Sequence, residues 1–369
     1  MKKESIMHRI GKYVPTPAIV IYVLALVSCG LYVSFILCPA FADAFNSSVS
    51  QLLRRVLAYI SAPFPFSLAE ALIMLSPILI FIILRAVFGY MDRHEHGFSR
   101  TMSSLVAAVL LLASVFTLNF AAGYRGSTLD RKLGLSVGNV SADDLERTAK
   151  YVAGRINELS DGIGFADECS FRSMTHSETV RAVHDSYDTL AAEYDFIGNF
   201  KAPVKRLAVS NLMTYTHISG VYTYFTGEAN LNTNYPEFVN VYTIAHEMAH
   251  QRGIARENEA NFIAYLVCIG SDSTYMQYSG YMNMFEYLIS ALYETRPEDA
   301  SALYSELDSR PLRDLTYYSR FFEKYSDSAA SNVSEVINDT FLQSQGTEGT
   351  RSYGMVVDLA VAYHASAGE

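Results

Sequence analysis

The sequence predicts three N-terminal transmembrane helices followed by a mainly helical (α+β) domain, with a small sheet and an edge strand just ahead of its central helix. Three observations carry this prediction. Half of the 369 residues are hydrophobic, yet the long apolar runs are confined to the first third of the chain. A stretch rich in Tyr, Thr and Val with Gly breaks, Ser219 to Thr233, has strand character. It is followed almost at once by His246-Glu247-Met248-Ala249-His250 inside a helix-compatible segment.

The membrane region is residues 1–123, with spans at about 17–38, 67–88 and 102–123, each about long enough to cross the hydrocarbon core as a helix. The third run carries no charge. The second has Glu70 near one end and Pro77 in its interior, which neighbouring helices or water can accommodate. The first run is longer than a usual signal-peptide core, and Pro39-Ala40-Phe41-Ala42 is a weak cleavage site, so it is read as a retained span. Lys2, Lys3, Arg9 and Lys12 precede span one, and Arg85, Arg93 and Arg100 lie at or between the facing ends of spans two and three. The excess of basic residues there predicts a multi-pass cell-membrane protein with a cytoplasmic N-terminus and an extracytoplasmic C-terminal domain. Arg54 and Arg55 run against the rule, within an amphipathic stretch, Val49 to Ile60, expected on the membrane surface.

Residues 124–369 form the second unit. Its net charge is −14 against +4 for residues 1–123, which argues against nucleic acid as a partner and against adsorption to anionic lipid. Ser141 with Asp144 starts a helix through Leu159, and Thr175 with Glu178 starts another to about Tyr194. Val204 to Ser210 leans to β, and Ser219 to Thr233 reads as a hairpin or edge strand; Glu228 within it is either a solvated strand position or a substrate contact. From Cys268 onward the chain reads as helical, with Pro297 and Pro311 at helix starts. Cys169 and Cys268 have no framework spacing that specifies a disulfide.

Residues four apart on a helix share a face, so His246 and His250 can present two imidazoles to one metal ion, with Glu247 beside them. Gly253 allows a sharp turn, after which a second helical run, Ala255 to Cys268, begins. A catalytic zinc takes three protein ligands and keeps a position open. Glu257 and Glu259 both offer a third ligand, but they lie about 200° apart around a helix, so only one can face the metal. Glu257 shares its face with Ala260, Asn261, Ala264 and Cys268, small enough for close helix approach, whereas the Glu259 face runs into Phe262, Ile263 and Leu266. The pattern favours Glu257, with Glu259 as the alternative and Asn261 as a group that orients a His ligand. Tyr278, Tyr281, Tyr318 and His364 are candidate donors to a reacting oxyanion, with a structural role the favoured reading of each. His176 and His217 have no partner at ligand spacing.

Three spans followed by FTGEAN (Phe225 to Asn230), then TIAHEMAHQRGIARENEANFIAYL, then YSGYM (Tyr278 to Met282) resemble the bacterial membrane family known as domain-of-unknown-function family 3810, over almost the whole chain. The resemblance implies a zinc-metallopeptidase-like domain of zincin-like fold. The segment ENEAN also resembles the E-x-x-x-D element of gluzincin peptidases, which implies Glu257 as third ligand and Asn261 as support for a His, with Asn standing where Asp is usual and lacking its charge.

Together these readings give a membrane-anchored zinc-dependent metallopeptidase, one Zn2+ per chain, with Glu247 as general base acting on a peptide or protein of the cell envelope. The alternative is a non-catalytic, membrane-anchored zinc-binding sensor or interaction module. A fourth protein ligand closing the metal's open position would favour the alternative.

Overall fold

A computed structural model describes residues 6–138, 140–166, 168–326, 328–347 and 355–368; Lys2 and Lys3, used above for orientation, lie outside them. Three helices are long and apolar enough to cross a membrane: Thr16–Leu37, Leu68–Arg93 and Gly97–Arg125. The third passes through a π-turn at Thr117–Ala121 and contacts both others. Tyr22 hydroxyl donates to the Ser103 carbonyl at 2.8 Å to join the first and third. The remainder is mainly helical, with small sheets ahead of the helix that bears His246 and His250.

The segment between the first two spans folds onto the domain that follows the third. Its helix Gln51–Ser61 places Arg54 fully buried, donating to Asn46 Oδ1 at 2.9 Å, to the Asn119 carbonyl in the third span and to the Arg252 carbonyl just beyond the His-bearing helix. Lys205 caps the end of the same helix through the carbonyls of Ser61, Ala62 and Phe64. Arg54 is therefore a buried tie between units rather than a free loop charge. The stretch expected on the membrane surface does form a helix with one apolar face, and it packs its Arg54, Ala58 and Ser61 face on the protein.

Two carboxylates lock the second span to the domain. Glu228 is 1 % exposed and accepts the backbone N–H groups of Leu68 and Ala69, both at 3.0 Å, at the helix N-terminus, where orphan donors and the helix dipole favour an anion. Glu70, in that first turn, accepts from Ala208 and Val209 at 3.0 and 2.9 Å. Glu228 is thus neither a solvated strand position nor a substrate contact, because burial against the span consumes both of its oxygens.

Within the domain, strands β1 (Gly164–Phe165) and β2 (Ser170–Phe171) make a short antiparallel pair. Strands β3 (Val204–Arg206), β4 (Gly220–Thr223) and β5 (Glu228–Leu231) form a sheet of order β3-β5-β4. β3 runs parallel to β5, and β4 antiparallel to it through a hairpin in which Gly227 adopts φ +71°. β5 is central and β3 and β4 are the two edges, so Ser219 to Thr233 forms a hairpin whose first strand, β4, is an edge. The His-bearing helix Glu237–Gln251 lies against β5 and β4 and is buried almost all round, between helices Glu257–Ile269 and Thr274–Thr295. The predicted helix starts appear at Ser141, capping Ala142–Ser160, and at Thr175, whose capping box with Glu178 opens His176–Glu193. Pro297 opens Pro297–Ser305, and Pro311 falls in the first turn of Ser309–Glu323. Cys169 and Cys268 are both free.

Candidate metal centre

The His-bearing helix stops where its backbone reverses. Gly253 adopts φ +94°, and the N–H groups of Gly253 and Ile254 return to the carbonyls of His250 and Ala249. Only a residue without Cβ fits there, since a Cβ at 253 would stand 2.3 Å from Arg54 Nη2. The reversal starts the second helix at Glu257, its first residue, facing back toward the imidazoles. Ala260, Ala264 and Cys268 are all fully buried, so the small face reaches the first helix as the sequence predicts, and Tyr242 hydroxyl donates to the Asn261 carbonyl at 2.6 Å across the contact.

His246 Nε2 lies 3.2 Å from Glu257 Oε2, and His250 Nε2 lies 3.5 Å from Glu257 Oε1. One ligand atom from each of the three residues falls within 4.8 Å of the others. In a tetrahedral zinc site with bonds of about 2.1 Å, neighbouring ligand atoms stand about 3.4 Å apart, so the spacing and the His2Glu donor set fit such an ion. His250 Nδ1 donates to the Ile254 carbonyl at 2.7 Å, which fixes the tautomer that leaves Nε2 free to ligate. This orienting carbonyl comes from the Gly253 reversal, so it could be anticipated only through that glycine. Glu259 is turned away: it accepts from Arg256 at 2.7 Å and from the Leu129 N–H at 3.0 Å. Asn261 is buried, and its Nδ2 and His246 Nδ1 both lack a hydrogen-bond partner.

Electrostatics separate the carboxylates. Burial alone would push His250 down, but Glu257, aided by Glu247 and the Ile254 carbonyl, outweighs it and holds His250 up at about 9. Burial acts on Glu257 in the opposite sense, and the two imidazoles outweigh that, holding it well below the usual carboxylate range. Glu247 is 4 % exposed, and burial raises it to about 7 against the pull of the two His; its Oε2 has no partner. β4 passes directly over it. A Cβ at Gly220 would lie 2.6 Å from Glu247 Oε1 and 2.6 Å from Thr243 Cγ2.

The other sequence candidates lie elsewhere. Tyr278 donates to Asp314 at 2.8 Å, Tyr281 packs on Tyr265, Tyr318 sits among Phe238 and Phe322, and His364 meets the Tyr265 hydroxyl at 2.8 Å. His176 and His217 bond the carbonyls of Val204 and Tyr325. Tyr287, which the sequence reading passed over, is within electrostatic reach of Glu257: burial together with Glu286 and Glu257 raises it, so it stays a hydrogen-bond donor. Nothing in its spacing distinguishes it from the other 25 tyrosines.

The family model described as protein of unknown function (DUF3810) matches residues 45–361. The chain belongs to the DUF3810 family. The match spans the two later membrane helices, the sheet, both helices of the metal centre and most of the C-terminal helices. Neither a curated protein nor a protein of solved structure matches the chain.

Proposed function

We propose that this DUF3810 member is a membrane-anchored zinc metallopeptidase, with its N-terminus cytoplasmic and its metal-site domain extracytoplasmic. The observation that carries the reading is a three-residue donor set, His246, His250 and Glu257, with a buried, non-ligating carboxylate, Glu247, beside it and a free strand edge above it. A closed structural zinc site has four protein ligands, and the cluster among the described residues offers three. Zinc in such a set supplies Lewis acidity, acidifying water and polarising a carbonyl. The free edge of β4 supplies backbone groups on which an extended peptide can add as a further strand, bringing a peptide bond to Glu247. Glu247, buried beside the donor set with one oxygen unpartnered, takes the proton of the attacking water and returns it to the leaving amine.

The packing of residues 38–67 on the domain after the third span supports putting both on one face of the membrane, with the basic residues at Lys12 and Arg93 to Arg100 on the other. The test is cleavage of a peptide library by the full chain, wild type beside Glu247→Gln. The reading expects equal zinc in both and a loss of at least a thousandfold in cleavage for the variant; undiminished turnover in a zinc-loaded Glu247→Gln protein refutes it.

A further inference from the structure

Two helices outside the spans wear their apolar residues on the outside. Helix Ala329–Ser344 buries Ser331 and Leu342, with Ser334 and Asn338 on the same face, while Val333, Val336 and Ile337 stand on the opposite face, 59, 66 and 64 % exposed. Helix Gln51–Ser61 repeats the pattern: Arg54, Ala58 and Ser61 point in, and Leu52, Val56 and Ile60 point out. A helix whose outer face meets water has the reverse polarity.

Both outer faces continue surfaces of the spans. Phe341 packs edge-on against Phe116 of the third span at 5.8 Å and against Tyr124 at 6.1 Å. From Ile60 the chain passes through exposed Phe64 and Phe66 straight into the second span at Leu68. The metal site stands at this level as well. The Phe120 ring, in the last turn of the uncharged run 102–123, lies 6.0 Å from the His250 ring.

Strand β4 links the two levels. Its Gly220 end lies over Glu247, Tyr222 meets Phe120 at 5.3 Å, and Tyr224 meets Phe116 at 5.3 Å, one turn deeper along the third span. A peptide added along β4 therefore runs from the bilayer surface to the metal site, a distance of about 13 Å for four residues.

We propose that helices Gln51–Ser61 and Ala329–Ser344 lie in the surface of the bilayer, and that the substrate is an extended peptide anchored in the same membrane and cleaved about four residues from its anchor. The substrate half rests on the peptidase reading above; the membrane half does not. The occupant of the apolar faces is lipid because they extend the lipid-facing surface of the spans, and the attachment is hydrophobic, in a domain of net negative charge.

The chain contains no Trp, so single tryptophans report without background. Val336→Trp, Ile60→Trp and, as a control beside the Arg296–Asp143 ion pair, Tyr293→Trp are placed in the full chain in phosphatidylcholine nanodiscs with brominated acyl chains. Emission at 336 and 60 is expected to fall at least twofold relative to unbrominated lipid, with no change at 293. Quenching at 336 by aqueous acrylamide and not by brominated lipid overturns the membrane placement. A peptide that the detergent-solubilised protein cleaves is then offered free and as its palmitoylated form in the same nanodiscs. The anchored form is expected to react at least tenfold faster, an advantage lost on Val336→Glu with Ile337→Glu while free-peptide cleavage persists. Equal rates for the two forms overturn the substrate assignment. If neither form is cleaved under any condition, the peptidase reading fails, and the tryptophan result alone decides where the helices lie.

Discussion

Replacing Gly220 by Ala adds a single methyl group to the molecule and should disable it. The new Cβ would stand 2.6 Å from Glu247 Oε1, 2.7 Å from Glu247 Cγ and 2.6 Å from Thr243 Cγ2. Ordinary contact begins at 3.4 Å, so the strand and the helix must separate, or Glu247 must swing, by about 0.8 Å. Gly220 does not occupy the left-handed region, so the alanine backbone is unstrained, and the lower entropy of the unfolded chain favours the variant by about 0.4–1 kcal/mol. The methyl contacts cost about 1–3 kcal/mol, so the variant is less stable than wild type by about 0–2.6 kcal/mol. Catalysis is less tolerant, because a displacement of about 1 Å in a reacting group costs about a hundredfold. The expected result is therefore kcat/KM down about a hundredfold with zinc content nearly unchanged and the unfolding temperature lower by several degrees at most. Zinc analysis, thermal unfolding in detergent and steady-state peptide cleavage on one preparation decide it. Full activity in Gly220→Ala would refute the claim that β4 positions Glu247.

Glu257→Gln should lose stoichiometric zinc, whereas Glu259→Gln should keep it and instead lower stability by about 1–3 kcal/mol, because the Leu129 N–H and Arg256 lose a charged acceptor; metal analysis beside thermal unfolding separates the two. In the metal-free protein Glu257 holds a proton on His250 up to about 9, and zinc must displace it, so apparent zinc affinity should rise about tenfold per pH unit through neutrality and level off only near pH 9. A titration against a competing chelator that levels off near 6.5 would show His250 unperturbed. Arg54→Met should cost about 1–3 kcal/mol for each acceptor it leaves buried without a donor, the Asn46 side chain and the Asn119 carbonyl, read as a fall of several degrees in unfolding temperature.

What the sequence made legible follows from periodicity and spacing. Three apolar runs, a strand-like hairpin and two histidines four apart each encode their arrangement locally, and the small face of Ala260, Ala264 and Cys268 encoded the helix contact that brings Glu257 to the imidazoles. What it hid was tertiary. Arg54 looks like a misplaced loop charge until Asn119 and Arg252 are seen around it, and Glu228 looks like a solvated strand residue until the second span places its N-terminus on it. Sequence separation of more than a hundred residues leaves no local signal of such contacts, as with Glu228 and Leu68. These contacts also make the membrane region part of the site's scaffold: Asn46 donates to the Gly253 carbonyl at 3.0 Å, and a Cβ at Gly123 would lie 2.7 Å from the same oxygen. The metal centre is therefore best examined in the full chain rather than in residues 124–369 alone.

The central claim, that His246, His250 and Glu257 hold one zinc ion, is tested most directly by metal analysis and X-ray absorption at the zinc edge on the full chain in detergent. About one zinc per chain is expected, with two imidazole nitrogens at about 2.0–2.1 Å, carboxylate oxygen at about 2.0–2.2 Å and no sulfur. Absence of tightly held zinc, or a shell containing sulfur or a fourth protein ligand, would contradict it.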